Sequence, residues 1–272
     1  DVSLKDIKER LAKHYSSAEI KGTKYADTLN RSLENVIRRN NVFIVHMLAE
    51  KGDVQHHNAN SNVSGKAADE DDLDIMLAFE PSISASSVTP GKKSKLWLAK
   101  EGLLLAGGQI GEAGSSDQGT RAHGIKKRGG ADSSIEKIDE VVGRNKKTFE
   151  DEYTQFGTYG MNEVVVNNTE VFGYFQSANK DEDGRFWANT LHTKEMYERV
   201  RRGGIAGRGV TKEHQEILSK YRRKFAMAQE RGLPVFIRTD NNEVYECLGT
   251  NDDGTVDVGK QLTPEEVAKG RA

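Results

Sequence analysis

Apolar residues recur at helical spacing twice near the amino terminus, at Ile7, Leu11 and Tyr15 behind Ser3, and at Leu29, Leu33 and Ile37. Each set falls on one face of a 3.6-residue period, so two amphipathic helices are expected in the segment 1–40. The period then changes. "NVFIVHML" is short, apolar and β-branched, and reads as a buried strand carrying His46. Residues 51–72 hold almost no apolar side chains and read as a surface loop. "LDIMLAFEPSISASSV", "SKLWLA" and "EGLLLAG" read as three strands, punctuated by Pro81 and Pro90-Gly91. Gly, Ser and charge dominate 106–132, which predicts a long loop, a kind of segment more often functional or disordered than idle in a compact domain.

"SIEKIDEVVG" reads as a short helix, and "NEVVV" and "VFGYFQS" as two further strands. Beyond them the pattern predicts a polar helix near 193–202, a hinge at "RRGGIAGRG", and a helix over 212–231 closed by Gly232. A hairpin at "LPVFIRTDNNEVYECLG" completes the series. Strands flanked by helices make an α+β chain, in three parts: a helical segment 1–40, a core 41–180, and a helical and hairpin lobe 181–272.

Composition narrows the function classes. With 272 residues and 35% hydrophobic content the chain can bury a real core. A net charge of -2 conceals an uneven spread: 185–231 carries 12 Lys or Arg against 5 Glu, whereas 240–257 carries 6 Asp or Glu and no base. A basic and an acidic face follow, without a nucleic-acid footprint. Cys247 is the single cysteine, so no internal disulfide or multi-cysteine zinc site can form, and its acidic strand disfavours a nucleophilic thiolate. No apolar run is long enough for a membrane helix. The first residues are charged and lack a signal-peptide core, and the chain opens on Asp1, which leaves room for flanking targeting segments.

Chemistry concentrates at "YGMNEVVVNN", where Glu163 stands at the mouth of an apolar strand. A carboxylate there is either the last solvated residue before burial or a group aimed by a rigid strand into a cleft. The segment "MNEVVVNNTEVFGYFQ" resembles the catalytic strand pair of ADP-ribosyltransferases, closest to the poly-ADP-ribose polymerase branch, with Asn162-Glu163 as the Asn-Glu pair. "VFIVHML" is similar to that family's early strand, whose histidine becomes His46, 117 residues before Glu163. The resemblance spans about residues 40–178 and consists of two short motifs in order.

It implies a split antiparallel sheet and NAD as substrate. His46 would donate to a ribose hydroxyl, Glu163 would accept from the nicotinamide-ribose 2'-OH, and Arg121 or the backbone N–H groups of 106–124 would meet the pyrophosphate. That branch stacks a tyrosine on nicotinamide. No Tyr lies between His46 and Tyr153, so Phe79 or Trp97 would supply the ring, Phe79 being preferred at the end of an apolar strand. Met161 stands where arginine-modifying toxins often carry a second Glu, and "SISASS" faintly echoes their Ser-Thr-Ser strand. Divergent bacterial effectors, the arginine ADP-riboxanases among them, keep His and Glu while replacing the middle aromatic. Membership there implies a secreted effector acting on a host protein in the host cytoplasm.

Other patterns weigh less. His56-His57 lacks metal-ligand spacing, and "AGGQIG" does not open the helix that a dinucleotide fingerprint needs. "GTRAHG", with His123, reads equally as a ligand loop or a solvated turn. Ile217, Tyr221, Phe225 and Ala228 stripe the helix 212–231 among Lys220, Arg222, Arg223 and Lys224. Such a helix usually packs its stripe on a core, although basic amphipathic helices also resemble targets of calmodulin or another host activator. Besides a transferase, two functions fit: an NAD glycohydrolase on the same fold, and a non-catalytic protein-interaction module.

Overall fold

The computed structural model describes residues 30–48, 82–92, 101–114, 135–143, 163–188 and 207–271. The helices expected at 3–15 and 193–202 and the strand "SKLWLA" lie outside the described residues.

Helix α1 (Leu33–Asn40) forms because Ser32 caps it, its hydroxyl accepting from the Asn35 N–H at 3.3 Å. Leu33, Val36 and Ile37 fill its buried stripe, and Asn41, in the left-handed region at φ 52°, stops it. Strands β1 (Phe43–Leu48), β2 (Ser82–Val88), β3 (Glu101–Ala106) and β4 (Gln109–Gly114) follow, then helix α2 (Ile135–Val142). Strands β5 (Glu163–Asn167), β6 (Glu170–Lys180) and β7 (Phe186–Ala188) precede the long helix α3 (Gly207–Glu230). Strands β8 (Val235–Arg238), β9 (Val244–Thr250) and β10 (Thr255–Leu262) and helix α4 (Pro264–Ala268) end the chain. The class is α+β.

The described strands join one ten-stranded sheet in the order β4-β5-β2-β1-β3-β6-β7-β10-β9-β8. Only Gly107 and Gly108 separate β3 from β4, yet the two strands stand four places apart in that order. Four spacings of about 4.8 Å total roughly 19 Å, about twice the reach of a two-residue link. The sheet must therefore roll. Its register shows how: Ala106 pairs with Glu170 on one side of a corner and Gln109 with Asn167 on the other. β3 with β4, and β5 with β6, act as two long strands bent together. Gly107, Gly108 and Asn168 adopt positive φ there. The Thr169 hydroxyl reaches the Ala106 carbonyl at 3.0 Å, and the start of α1 is laced to the same corner by Leu33 N to Gly108 O (3.0 Å) and Ile110 N to Arg31 O (2.9 Å).

A second roll uses the other end of β6. Strands β6-β7-β10-β9-β8 close because β8 returns to pair with β6 in parallel, Tyr174 opposite Val235 and Ser177 opposite Arg238. Parallel neighbours need a crossover, and the segment containing α3 supplies it. Eleven-residue β6 thus belongs to both rolls, and the sheet runs unbroken past residue 180.

Tyr221, Phe225 and Ala228 of the expected stripe of α3 are buried, with Leu218 buried in place of half-buried Ile217, so the stripe packs inward as amphipathic patterning predicts, and Gly232 at φ 70° ends the turn after it. The Tyr221 hydroxyl donates to the Ser177 carbonyl at 3.2 Å, and Gln176 Nε2 donates to the Tyr221 carbonyl at 2.7 Å. Two expectations need correction. Residues 109–114 of the expected loop are strand β4, because they complete the ladder beside β5. Gly207, Arg208 and Gly209 belong to α3 and not to a hinge, since the helix extends five residues ahead of Lys212.

Candidate functional site

Glu163 opens β5, an internal strand, and at that position β2 contributes Ser86 on one side and β4 contributes Gly114 on the other. The following residues explain why the strand is rigid: Val164 and Val166 are fully buried, opposite Ala85 and Ile83 on β2 and opposite Ala113 and Ile110 on β4. An acid at the head of such a strand has its backbone fixed from both sides.

His46 lies in β1, half-buried and opposite Leu103. Val45, the residue before it, pairs with Ser86, which pairs with Glu163. Glu163 therefore shares the row of Val45, and His46 stands in the next row, beside buried Leu103 and Tyr174. Adjacent rows of a pleated sheet belong to alternate faces. The two residues are two strands and one row apart.

Phe79, Arg121 and Asn162 lie outside the described residues, as do Trp97, His123 and the His56-His57 pair. The part of the Gly-rich segment that is described is not free to cradle a pyrophosphate, because Gln109 to Gly114 pair with β5 and Gly108 packs at the corner. Among the described residues no group of three His, Cys, Asp or Glu is arranged to hold a metal ion. None of their helices is long and apolar enough to cross a membrane. Burial pushes the Cys247 thiol up to about 11, which keeps it protonated and unreactive at neutral pH.

Two further features escape local pattern. Ser86 stands directly beside Glu163, and the only trace of it in the sequence is the alternation of serines in "SISASS". Glu101 heads "GLLLAG" as Glu163 heads "VVV", yet its surroundings differ. It is 1% exposed, accepts the Tyr174 hydroxyl at 2.5 Å and forms an ion pair with Lys224 of α3. A carboxylate with both oxygens engaged is a structural anchor.

A scan against protein-family models finds no match, and searches of curated proteins and of solved structures find none. The chemistry of the site rests on its own geometry. A carboxylate on a clamped strand, beside a hydroxyl-bearing strand, suits the stabilisation of a positively charged transition state.

Proposed function

We propose that the protein transfers ADP-ribose from NAD to a side chain of a target protein, with release of nicotinamide. The observation that carries the reading is the position of Glu163 at the head of an internal strand, with Ser86 beside it on β2. The large, mostly antiparallel sheet, rolled at the corner of Gly107-Gly108 and Asn168-Thr169, is compatible in class with the reading, but its ten described strands form one continuous ladder and not a split sheet.

Glu163 accepts a hydrogen bond from the 2'-OH of the nicotinamide ribose; donation from His46 to a ribose hydroxyl of the same NAD is the part of the reading that the register does not support, because the two rows belong to alternate faces. The glycosidic C–N bond breaks, its electron pair leaves with nicotinamide, and positive charge develops on the ribose. A carboxylate fixed beside that charge stabilises the transition state more than the ground state. The nucleophile is a target side chain, or water in the hydrolytic variant of the same reaction. Phe79, Arg121 and Asn162 complete the proposed NAD contacts. The reading makes the protein an effector acting on a host protein. An activator that binds α3 meets its polar face, because Tyr221, Phe225 and Ala228 are buried.

A second reading, a binding module without catalysis, is favoured by one observation: His46 and Glu163 occupy adjacent rows and so belong to alternate faces of the sheet. Labelled NAD incubated with a eukaryotic lysate separates the two. The intact protein releases nicotinamide and labels a discrete band, and Glu163→Gln loses both by about a hundredfold or more, the order of loss when one transition-state contact is removed. Equal nicotinamide release by both proteins removes Glu163 from the reaction, and no release by either leaves the binding module.

A further inference from the structure

The buried cluster of Glu101, Tyr174 and Lys224 lies closer to His46 than chain order suggests. Lys224 and Glu101 have side-chain exposures of 14% and 1%, and their ion pair joins α3 to the centre of the sheet. Tyr174 contributes its hydroxyl to Glu101 and packs its ring edge-on against Phe225 of α3, with centroids 6.0 Å apart. Along the β1–β3 ladder, His46 pairs with Leu103 and Leu48 with Glu101, with no register break. Leu103 in turn pairs with Tyr174. Opposite residues share a face, as do residues two apart on a strand, so His46, Glu101 and Tyr174 are on one face. Glu101 is the diagonal neighbour of His46, at about 7–8 Å between Cα atoms.

We infer that Glu101 and Lys224 are positioning residues for His46, through which α3 sets the shape and the charge of the face that carries the histidine. In a poorly solvated interior an unpaired carboxylate on a diagonal position acts strongly on an imidazole and on any ligand beside it, and the ammonium of Lys224 cancels that field. The hydroxyl of Tyr174 fixes the carboxylate's orientation. The kinetic consequence rests on the proposed contact of His46 with NAD, but the coupling to His46 does not.

The test uses the full chain and two readouts: the ring resonance of His46 by NMR, and KM against kcat for NAD. Lys224→Met removes the compensating charge, Glu101→Gln with Lys224→Met removes both charges, and Tyr174→Phe removes only the hydroxyl and keeps the fold. In Lys224→Met the His46 resonance shifts and KM for NAD rises about tenfold while kcat stays within about twofold, the signature of lost ground-state positioning. The double variant returns both readouts toward the wild type. Tyr174→Phe moves them in the same direction as Lys224→Met, by less, and decides the matter if the charge variants do not fold. An unmoved His46 resonance in a folded variant overturns the inference. A wild-type protein that neither binds nor turns over NAD sinks the NAD reading, while the resonance still decides whether α3 acts on His46.

Discussion

Gly108 sits where two bent strands press their backbones together. A Cβ built on it would lie 2.3 Å from the Asn167 carbonyl oxygen and 2.7 Å from that of Asn168, and its φ of 71° already excludes most side chains. Gly184 has a similar φ of 80°, yet open space surrounds it. The two positions separate backbone strain from collision. Gly184→Ala carries only the left-handed penalty, about 1 kcal/mol. Gly108→Ala adds displacement of main chain that cannot rotate away, on the order of 3 kcal/mol in total. Urea unfolding distinguishes them as a shift in midpoint at unchanged m-value. Equal losses would mean that the corner yields more easily than its register implies.

At the scale of elements, what the sequence discloses depends on how unbroken each pattern is. β1, β3, β5 and β6 are apolar runs that supply much of the buried core, and each is legible from composition alone. β4 and β10 are not. β4 shifts register between Ile110 and Glu112, and β10 shifts twice, at Asp257/Val258 and Val258/Gln261, so neither keeps the alternation by which a strand is recognised. The candidate site divides in the same way. Glu163 is visible because it abuts its own apolar run, whereas its neighbour Ser86 and the partners of Glu101 arrive by long-range pairing that no local window contains.

Helix α4 is a further case. Five residues are too few to hold a helix by propensity, so it relies on its cap. The Thr263 hydroxyl accepts from the Glu266 N–H at 3.3 Å while the Glu266 carboxylate accepts from the Thr263 N–H at 2.8 Å. The bond from Lys260, followed by that backbone bond, holds the Glu266 carboxyl down at about 2, from an ordinary value of 4.5. A depressed carboxylate contributes stability that is complete above its unfolded value and is lost as pH falls through the folded one. The contribution of Glu266 is therefore present above about pH 4.5 and fades between there and pH 2. Glu266→Gln lowers stability at neutral pH and flattens the acid limb between pH 4.5 and 2, as read from urea midpoints across that range. Parallel acid limbs in the two proteins would assign the pH dependence to other carboxylates.

The whole molecule is bound together by β6 and by the return of the chain's end to its beginning. β6 pairs with β3 in the first roll and with β7 and β8 in the second, and Arg238 of β8 is fully buried over the Phe175 ring of β6 at 5.4 Å. Asn242, past β8, accepts from Arg238 Nη1 and donates to the Lys92 carbonyl beyond β2, each at 2.5 Å. At the other end Arg38 of α1 pairs with Glu265 of α4 at 3.0 Å. A boundary at 180/181 thus falls in the β6–β7 turn of a shared sheet, where sequence composition marks a change of character but the ladder marks none. Such a sheet is expected to unfold as one cooperative unit. A protease site inserted between Glu182 and Asp183, both exposed in that turn, tests this without disturbing a strand. The nicked protein keeps its far-UV dichroism and melts in a single transition, because the two pieces remain paired through β6. After separation in denaturant neither piece regains that transition alone, since each lacks partners for buried strand edges. A cooperative melt from the isolated 1–182 piece would show instead that the first roll is a domain in its own right, with the second roll docked on it.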